Sequence, residues 1–398
     1  MALQIVRNAA AANRPARPQQ TILSLEGARA ARAEISTWPG YEMTPTRSLA
    51  PIARACRVES VFYKDESPRF GLESFKALGG AYAVARLLQR RVGEHLGRPV
   101  STEELTSGAH RAITGTLTVV SATDGNHGRS VAAGAAMFGC RSVILIHAGV
   151  SEARAKAIAA RGAEVVRIDG NFDDSVRAAS RLATQDGWAL VADTSSHGGE
   201  AACIDVMHGY TVMVGEALDQ ILAQDLEPPT HVFVQGGVGG LAAAACAHTW
   251  HVLAERAPII VVVEPERADC LYQSAKAGRP TPSAGDLNTV MAGLACGEVS
   301  EFAWQVLSEG AEFFARISDN AAIAAMRLLA DEERAGARIV AGESAGAGLA
   351  GFMSAAADAE SRRLLRIDRG SRILVFGTEG ATDPELYATL LGRSAANA

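Results

Sequence analysis

From Thr116 to Thr194 the chain alternates short runs of β-branched and aliphatic residues with alanine-rich stretches of helical length, and that rhythm admits few architectures. Residues 117–121, 142–147, 164–168 and 189–192 read as strands. Residues 128–138, 152–160 and 173–184 read as the helices between them, each placing alanine and aliphatic side chains on one face while Arg154, Lys156, Arg177 and Arg181 point to water. Strand, helix and strand in succession are the signature of βαβ units around a parallel sheet. A second alternation predicts strands at 231–234, 259–263 and 372–376, with helices at 241–253, 267–277, 321–334 and 345–357. A strand at 58–64 and a helix starting near Ser74 precede the first region and group with the second. The expected organisation is a large domain of residues 1–88 and 195–398, interrupted by a small domain of 89–194. A chain of 398 residues accommodates this, at roughly 150 per domain. Residues 1–40 carry no strong signal, apart from 22–25, which read as a segment packing on the core or on a neighbour.

Composition narrows the partners. Hydrophobic residues at 48% and charged residues at 21% exclude a disordered or supercharged chain. A net charge of -6 without blocks of like charge argues against nucleic acid and against a basic membrane-binding face, so a small molecule is the expected partner. The most apolar stretch, residues 239–247, falls well short of the roughly 20 needed to span a bilayer. Six cysteines without the spacing of a disulfide scaffold or zinc site, and an arginine-interrupted N-terminus without an apolar run, point to a reducing, cytoplasmic location. The nine histidines show no metal-ligand spacing, so no catalytic metal is expected, and His127 reads as a packed helix-start residue.

Three segments carry chemistry. In Ser74-Phe75-Lys76-Ala77-Leu78-Gly79-Gly80, a lysine opens a helix among apolar neighbours. The positive end of the helix dipole and the low polarity both favour the neutral, nucleophilic amine that Schiff-base chemistry needs. A lysine snorkelling from an amphipathic helix is the ordinary alternative. Gln235-Gly236-Gly237-Val238-Gly239-Gly240 lies between a strand and a helix, where glycines let backbone N–H groups close around a phosphate. No Gly-Lys-Ser/Thr follows, which excludes a P-loop, whereas Glu264 at the end of the next strand keeps a dinucleotide site open, as does a plain tight turn. Ala122-Thr123-Asp124-Gly125-Asn126-His127-Gly128 also joins a strand to a helix, so its amides and the Thr123 hydroxyl suit a carboxylate, with helix capping as the alternative for Asp124 and Asn126.

Taken in order with Glu343-Ser344-Ala345-Gly346 and Gly377-Thr378-Glu379-Gly380, these segments resemble the fold type II pyridoxal phosphate enzymes, the threonine dehydratase and tryptophan synthase β-subunit group. The resemblance covers about residues 40–385. Within that group, residues 122–129, 291–298 and 378–384 are similar to the 2,3-diaminopropionate ammonia-lyases.

The resemblance implies an α/β fold of two open, twisted, mostly parallel sheets flanked by helices, with pyridoxal 5'-phosphate between a large and a small domain. It implies α,β-elimination of diaminopropionate, in both enantiomers, to pyruvate and two ammonia through a Lys76 Schiff base and an aminoacrylate. Lys76 then holds the cofactor and removes the Cα proton, Gly236, Gly237, Val238, Gly239 and Gly240 bind its phosphate, and Asn126 bonds its ring hydroxyl. Phe75 packs near the ring, Glu343 lies beside it, and Thr378 faces the pyridine nitrogen unless that role aligns with Gly377. Ala122, Thr123, Asp124, Gly125 and His127 form the substrate loop. A β-ammonium leaving group explains extra carboxylates, assigned to Asp124 and Asp193, with Asp124 as the base for the D-form. For Asp193, helix capping is the ordinary alternative. Cys270 and Cys296, in or beside these stretches, are expected near one another at the pocket mouth, with a disulfide disfavoured by a reducing cytosol. The group's tendency implies a homodimer. The competing readings are a serine or threonine dehydratase or β-replacing synthase of the same fold, a non-catalytic module binding the cofactor or an amino acid, and a nucleotide-dependent oxidoreductase.

Overall fold

The computed structural model describes residues 3–13, 22–123, 125–194, 199–392 and 395. Its strands, in chain order, are β1 (Gln4–Arg7), β2 (Thr46–Ser48), β3 (Ser60–Asp65), β4 (Thr118–Thr123), β5 (Arg141–His147), β6 (Glu164–Ile168), β7 (Ala189–Leu190), β8 (His231–Gln235), β9 (Ile259–Pro265), β10 (Phe313–Ile317) and β11 (Arg372–Gly377). The chain divides into two units, the first comprising Met1–Leu25, Glu42–Phe75 and Met213–Ala398, the second Glu26–Tyr41 and Lys76–Val212.

The first unit is built on a seven-stranded sheet in the order β1-β10-β9-β8-β11-β3-β2. Its five central strands run parallel, and β1 and β2 close the two edges antiparallel. Buried Phe233, Val261, Val263, Ala315, Ile373 and Val375 pack with Leu349 and Phe352 of helix Ala347–Ala357, which covers this sheet. The second unit holds a four-stranded, wholly parallel sheet, β6-β5-β4-β7. The strands and helices anticipated from the alternation are present within a few residues of the expected ends, with one exception. The helix expected at 321–334 is two, Asp319–Leu329 and Glu332–Ala335, because the Asp331 side chain accepts the Arg334 N–H and starts a new cap.

The unit boundaries differ from the division at 88/89 and 194/195. Helix Lys76–Leu96 belongs to the second unit because it lies against helix Asn126–Phe138 with almost no side chain between them. A Cβ on Gly80 would meet Ser130 Oγ at 2.7 Å, and one on Gly134 would meet Ala81 Cα at 2.8 Å. Helix Glu200–Leu222 carries the chain back into the first unit. The silent N-terminal segment has clear work. β1 pairs with β10, Asn8 Nδ2 donates to the Ser308 and Ala311 carbonyls at 2.8 and 2.9 Å beside the end of helix Glu301–Gly310, and Leu23 is buried.

Candidate active site

In each unit the residues of interest follow the carboxyl ends of parallel strands, where open α/β sheets hold their ligands. In the second unit β4 ends at Thr123 and β7 runs into Asp193. Lys76 is the first residue of helix Lys76–Leu96, and its Nζ lies 2.6 Å from Asp193 Oδ2, with both side chains mostly shielded from solvent. Burial alone would raise the Asp193 carboxyl, but the Lys76 ammonium, the charge of His127 and the hydrogen bond from Lys76 together hold it down to about 2. Asp193 is therefore ionised and joined to the one lysine that the sequence singled out. His127 is buried in the first turn of helix Asn126–Phe138, its Nε2 3.2 Å from the Val191 carbonyl oxygen, which ties the loop after β4 to the segment leading to Asp193.

The loop expected to hold a carboxylate is organised around Thr123. Its Oγ1 accepts the N–H groups of Gly125 at 2.8 Å and Gly128 at 3.0 Å, so these two amides are committed within the turn. The Thr123 O–H remains the loop's own donor. Gly125 sits at φ 150°, Ala122 is buried at the end of β4, and Asn126 opens the helix half-buried. Asp124 lies outside the described residues.

In the first unit, residues 236–240 join β8 to helix Gly240–Leu253. Gly237 and Gly239 have φ of 65° and 102°, which only glycine adopts without strain. A Cβ on Gly236 would meet Glu264 Cγ at 2.5 Å and one on Gly239 would meet Ala303 Cβ at 2.9 Å, so both positions admit no larger side chain. The Ser300 N–H donates to the Val238 carbonyl and fixes the turn, while no described residue accepts from the N–H groups of Gly237, Val238 or Gly240. A rigid turn with uncommitted amides at the N-terminus of a 14-residue helix fits the phosphate of pyridoxal phosphate. The dinucleotide reading fails on Glu264. Its carboxylate is fully buried and accepts the N–H groups of Leu271 and Tyr272 at 3.0 and 2.7 Å, so it is not available to a ribose. Burial pushes that carboxyl up to about 8 against the pull of the two amides.

The remaining first-unit candidates share one knot of loops. The Phe75 N–H donates to the Thr378 carbonyl at 2.9 Å, Ser74 bridges Glu379, and Glu379 Oε1 accepts the Ser344 N–H beside buried Glu343. Ser344 Oγ in turn accepts the Gly293 N–H, which ties residues 291–298 to the same knot. Of the two positions expected to face the ring nitrogen, Gly377 can bear no side chain, since its Cβ would meet the Tyr63 ring at 2.1 Å, and Thr378 is the residue with a hydroxyl. Cys270 and Cys296 are buried, form no disulfide with one another and both adjoin Gly237. The sequence did not single out Glu379, nor the charged side chains of Lys64, Glu66, Arg69 and Glu216, all fully buried in this unit. Lys64 lies at the end of a strand, Glu66 and Arg69 lie in the loop after it and Glu216 lies on helix Glu200–Leu222, positions at which charged residues ordinarily face water.

Comparison with known proteins follows the same lines. The family model for pyridoxal-phosphate dependent enzymes matches residues 37–378. The chain is 37% identical over 371 residues to diaminopropionate ammonia-lyase of Escherichia coli (strain K12), covering 92% of this chain and 91% of that one. Two crystal structures of the Escherichia coli diaminopropionate ammonia lyase, both 33% identical and covering 98% of this chain and 96% of theirs, superpose well. The complex with an aminoacrylate-PLP azomethine reaction intermediate gives a TM-score of 0.86, and the complex with D-serine gives 0.87.

Proposed function

The chain belongs to the pyridoxal-phosphate dependent enzymes, to the diaminopropionate ammonia-lyase family among them, and we propose on that basis that it converts 2,3-diaminopropionate and one water to pyruvate and two ammonia. Pyridoxal phosphate is its cofactor, and when bound it supplies an electron sink for the charge left at the substrate Cα. Lys76 would hold it, the amides of residues 236–240 its phosphate, Asn126 and Thr378 its ring polar atoms, and Phe75 and Glu343 its ring. Lys76 Nζ takes the Cα proton of the L-substrate. Asp193, ionised at neutral pH, recognises the β-ammonium and keeps it protonated as the C–N bond breaks. The Thr123 O–H donates to the substrate carboxylate. Asp124 is the base for the D-enantiomer, and the enzyme works as a cytoplasmic homodimer.

The observation that carries this reading is the 2.6 Å pair of Lys76 and Asp193, which sets an anion suited to a cationic leaving group beside the lysine that would hold the cofactor. A hydroxyl leaving group, as in serine or threonine, gives such an anion no cation to bind. The test is to supply D- and L-diaminopropionate, L-serine and L-threonine to the purified holoenzyme and follow keto acid and ammonia. Two ammonia per pyruvate from diaminopropionate is expected, and product from the hydroxy amino acids alone overturns the substrate. Loss of D-activity alone in D124S supports the role of Asp124, and light scattering at the mass of a monomer removes the dimer.

A further inference from the structure

Lys76 is reached through an irregular passage. After β3 the chain adopts left-handed backbone at Phe70, Gly71 and Glu73, with φ of 51°, 63° and 54°, and two of those residues carry side chains that disfavour it. Something must impose that path. Arg69, in the middle of it, is fully buried and grips two carboxylates with one planar fork. Nε and Nη2 donate to Glu66 at 2.8 Å each, and Nη1 and Nη2 donate to Glu216 at 3.0 and 2.6 Å. Nη1 also reaches the Glu42 carbonyl at 3.1 Å and Nη2 the Thr44 hydroxyl at 2.9 Å. Lys64 completes the cluster, donating to Glu216 at 2.7 Å and to the Thr44 carbonyl at 2.6 Å. Two cations face two anions, and all four side chains are 0% exposed.

A buried cluster of this kind is a poor source of stability, because desolvation offsets its Coulomb attraction and apolar residues of like volume do as well. What charges add is direction. The members of this cluster stand beside three of the four points at which the chain passes between the units. Glu42 and Thr44 follow the return at Glu42, Arg69 precedes the exit after Phe75, and Glu216 follows the return at Met213. We propose that Arg69, held by Glu66, Glu216 and Lys64, is a positioning residue that fixes the backbone delivering Lys76 for its part in the reaction. This rests on the reading of Lys76 as the cofactor lysine.

The test uses the full chain. K64M/E216L removes one charge of each sign, keeps the Arg69–Glu66 pair and leaves the cluster neutral, so its thermal midpoint should stay near that of the wild type. The kcat for diaminopropionate should fall by about tenfold or more with KM little changed, since displacement of a reacting group by about 1 Å costs up to about a hundredfold. Apoenzyme mixed with pyridoxal phosphate should form its lysine adduct, followed by visible absorbance, more slowly by a similar factor. Amide exchange in residues 66–76 should accelerate. If the double variant does not fold, R69K, which keeps the charge and loses the fork, should show the same losses. Wild-type kcat, adduct rate and amide exchange in a folded variant would overturn the proposal. A wild-type protein that forms no adduct or does not turn over diaminopropionate would instead overturn the functional reading, and amide exchange still decides the role of the cluster.

Discussion

At the scale of single residues, the pair of Lys76 and Asp193 joins groups 117 positions apart in the chain. Its partners hold the Asp193 carboxyl down to about 2, below the ordinary 3.8, so its ionised form is favoured in the folded protein. The stability it contributes is present in full above about pH 4 and is lost as pH falls toward 2, on the order of 2 kcal/mol. Denaturant unfolding of the apoprotein across that window should show the decline in the wild type and a flatter curve in D193N. At neutral pH the holoenzyme of D193N should lose roughly 10²-fold or more in kcat, measured as pyruvate release. The amino-acid sequence supports the choice of Lys76 and of residues 236–240, because a lysine at a helix start and glycines between a strand and a helix are local patterns. It holds no sign of the pairing of Lys76 with Asp193, which depends on tertiary structure. The cluster around Arg69 was illegible for a different reason, since charged residues near a strand end ordinarily face water.

Among the secondary-structure elements, the contact between helices Lys76–Leu96 and Asn126–Phe138 holds Lys76 and the loop after β4 in one unit. Both helices present glycine at the crossing, and G134A would press a methyl group against the Ala81 backbone at 2.8 Å. Because Gly134 already has helical geometry, the change adds no backbone strain, and overpacking, offset in part by the better helix propensity of alanine, leaves an expected net loss on the order of 1 kcal/mol in urea unfolding. No loss would mean that the helices separate freely. Elements with a clear period were legible. Helix Glu200–Leu222 was not, because it is buried along most of its length and such a helix shows no amphipathic stripe. β10 was missed as a five-residue strand between two helices, and β1 because an antiparallel edge strand of four residues has too little pattern to distinguish it.

Over the whole molecule, the alternation of strands and helices was enough to anticipate two parallel sheets, while the edges that close the larger one depend on partners far apart in sequence. β1 covers β10, which would otherwise offer a row of unpaired backbone groups to another chain. Removal of residues 3–13 should therefore yield self-associating protein, visible as raised mass by light scattering at low micromolar concentration, and unchanged mass would show that the edge needs no cover. Both sheets also have a history in time. The four-stranded sheet uses only residues 118–190, whereas the seven-stranded sheet joins Gln4 to Arg316 and Ser60 to Arg372. During synthesis at roughly 5–20 residues per second, the ribosome has released every strand of the small sheet well before β11 exists. For up to tens of seconds the nascent chain can hold Lys76 paired with Asp193 while the seven-stranded sheet is still unfinished, so the N-terminal half of the protein waits on the last strand for its neighbour.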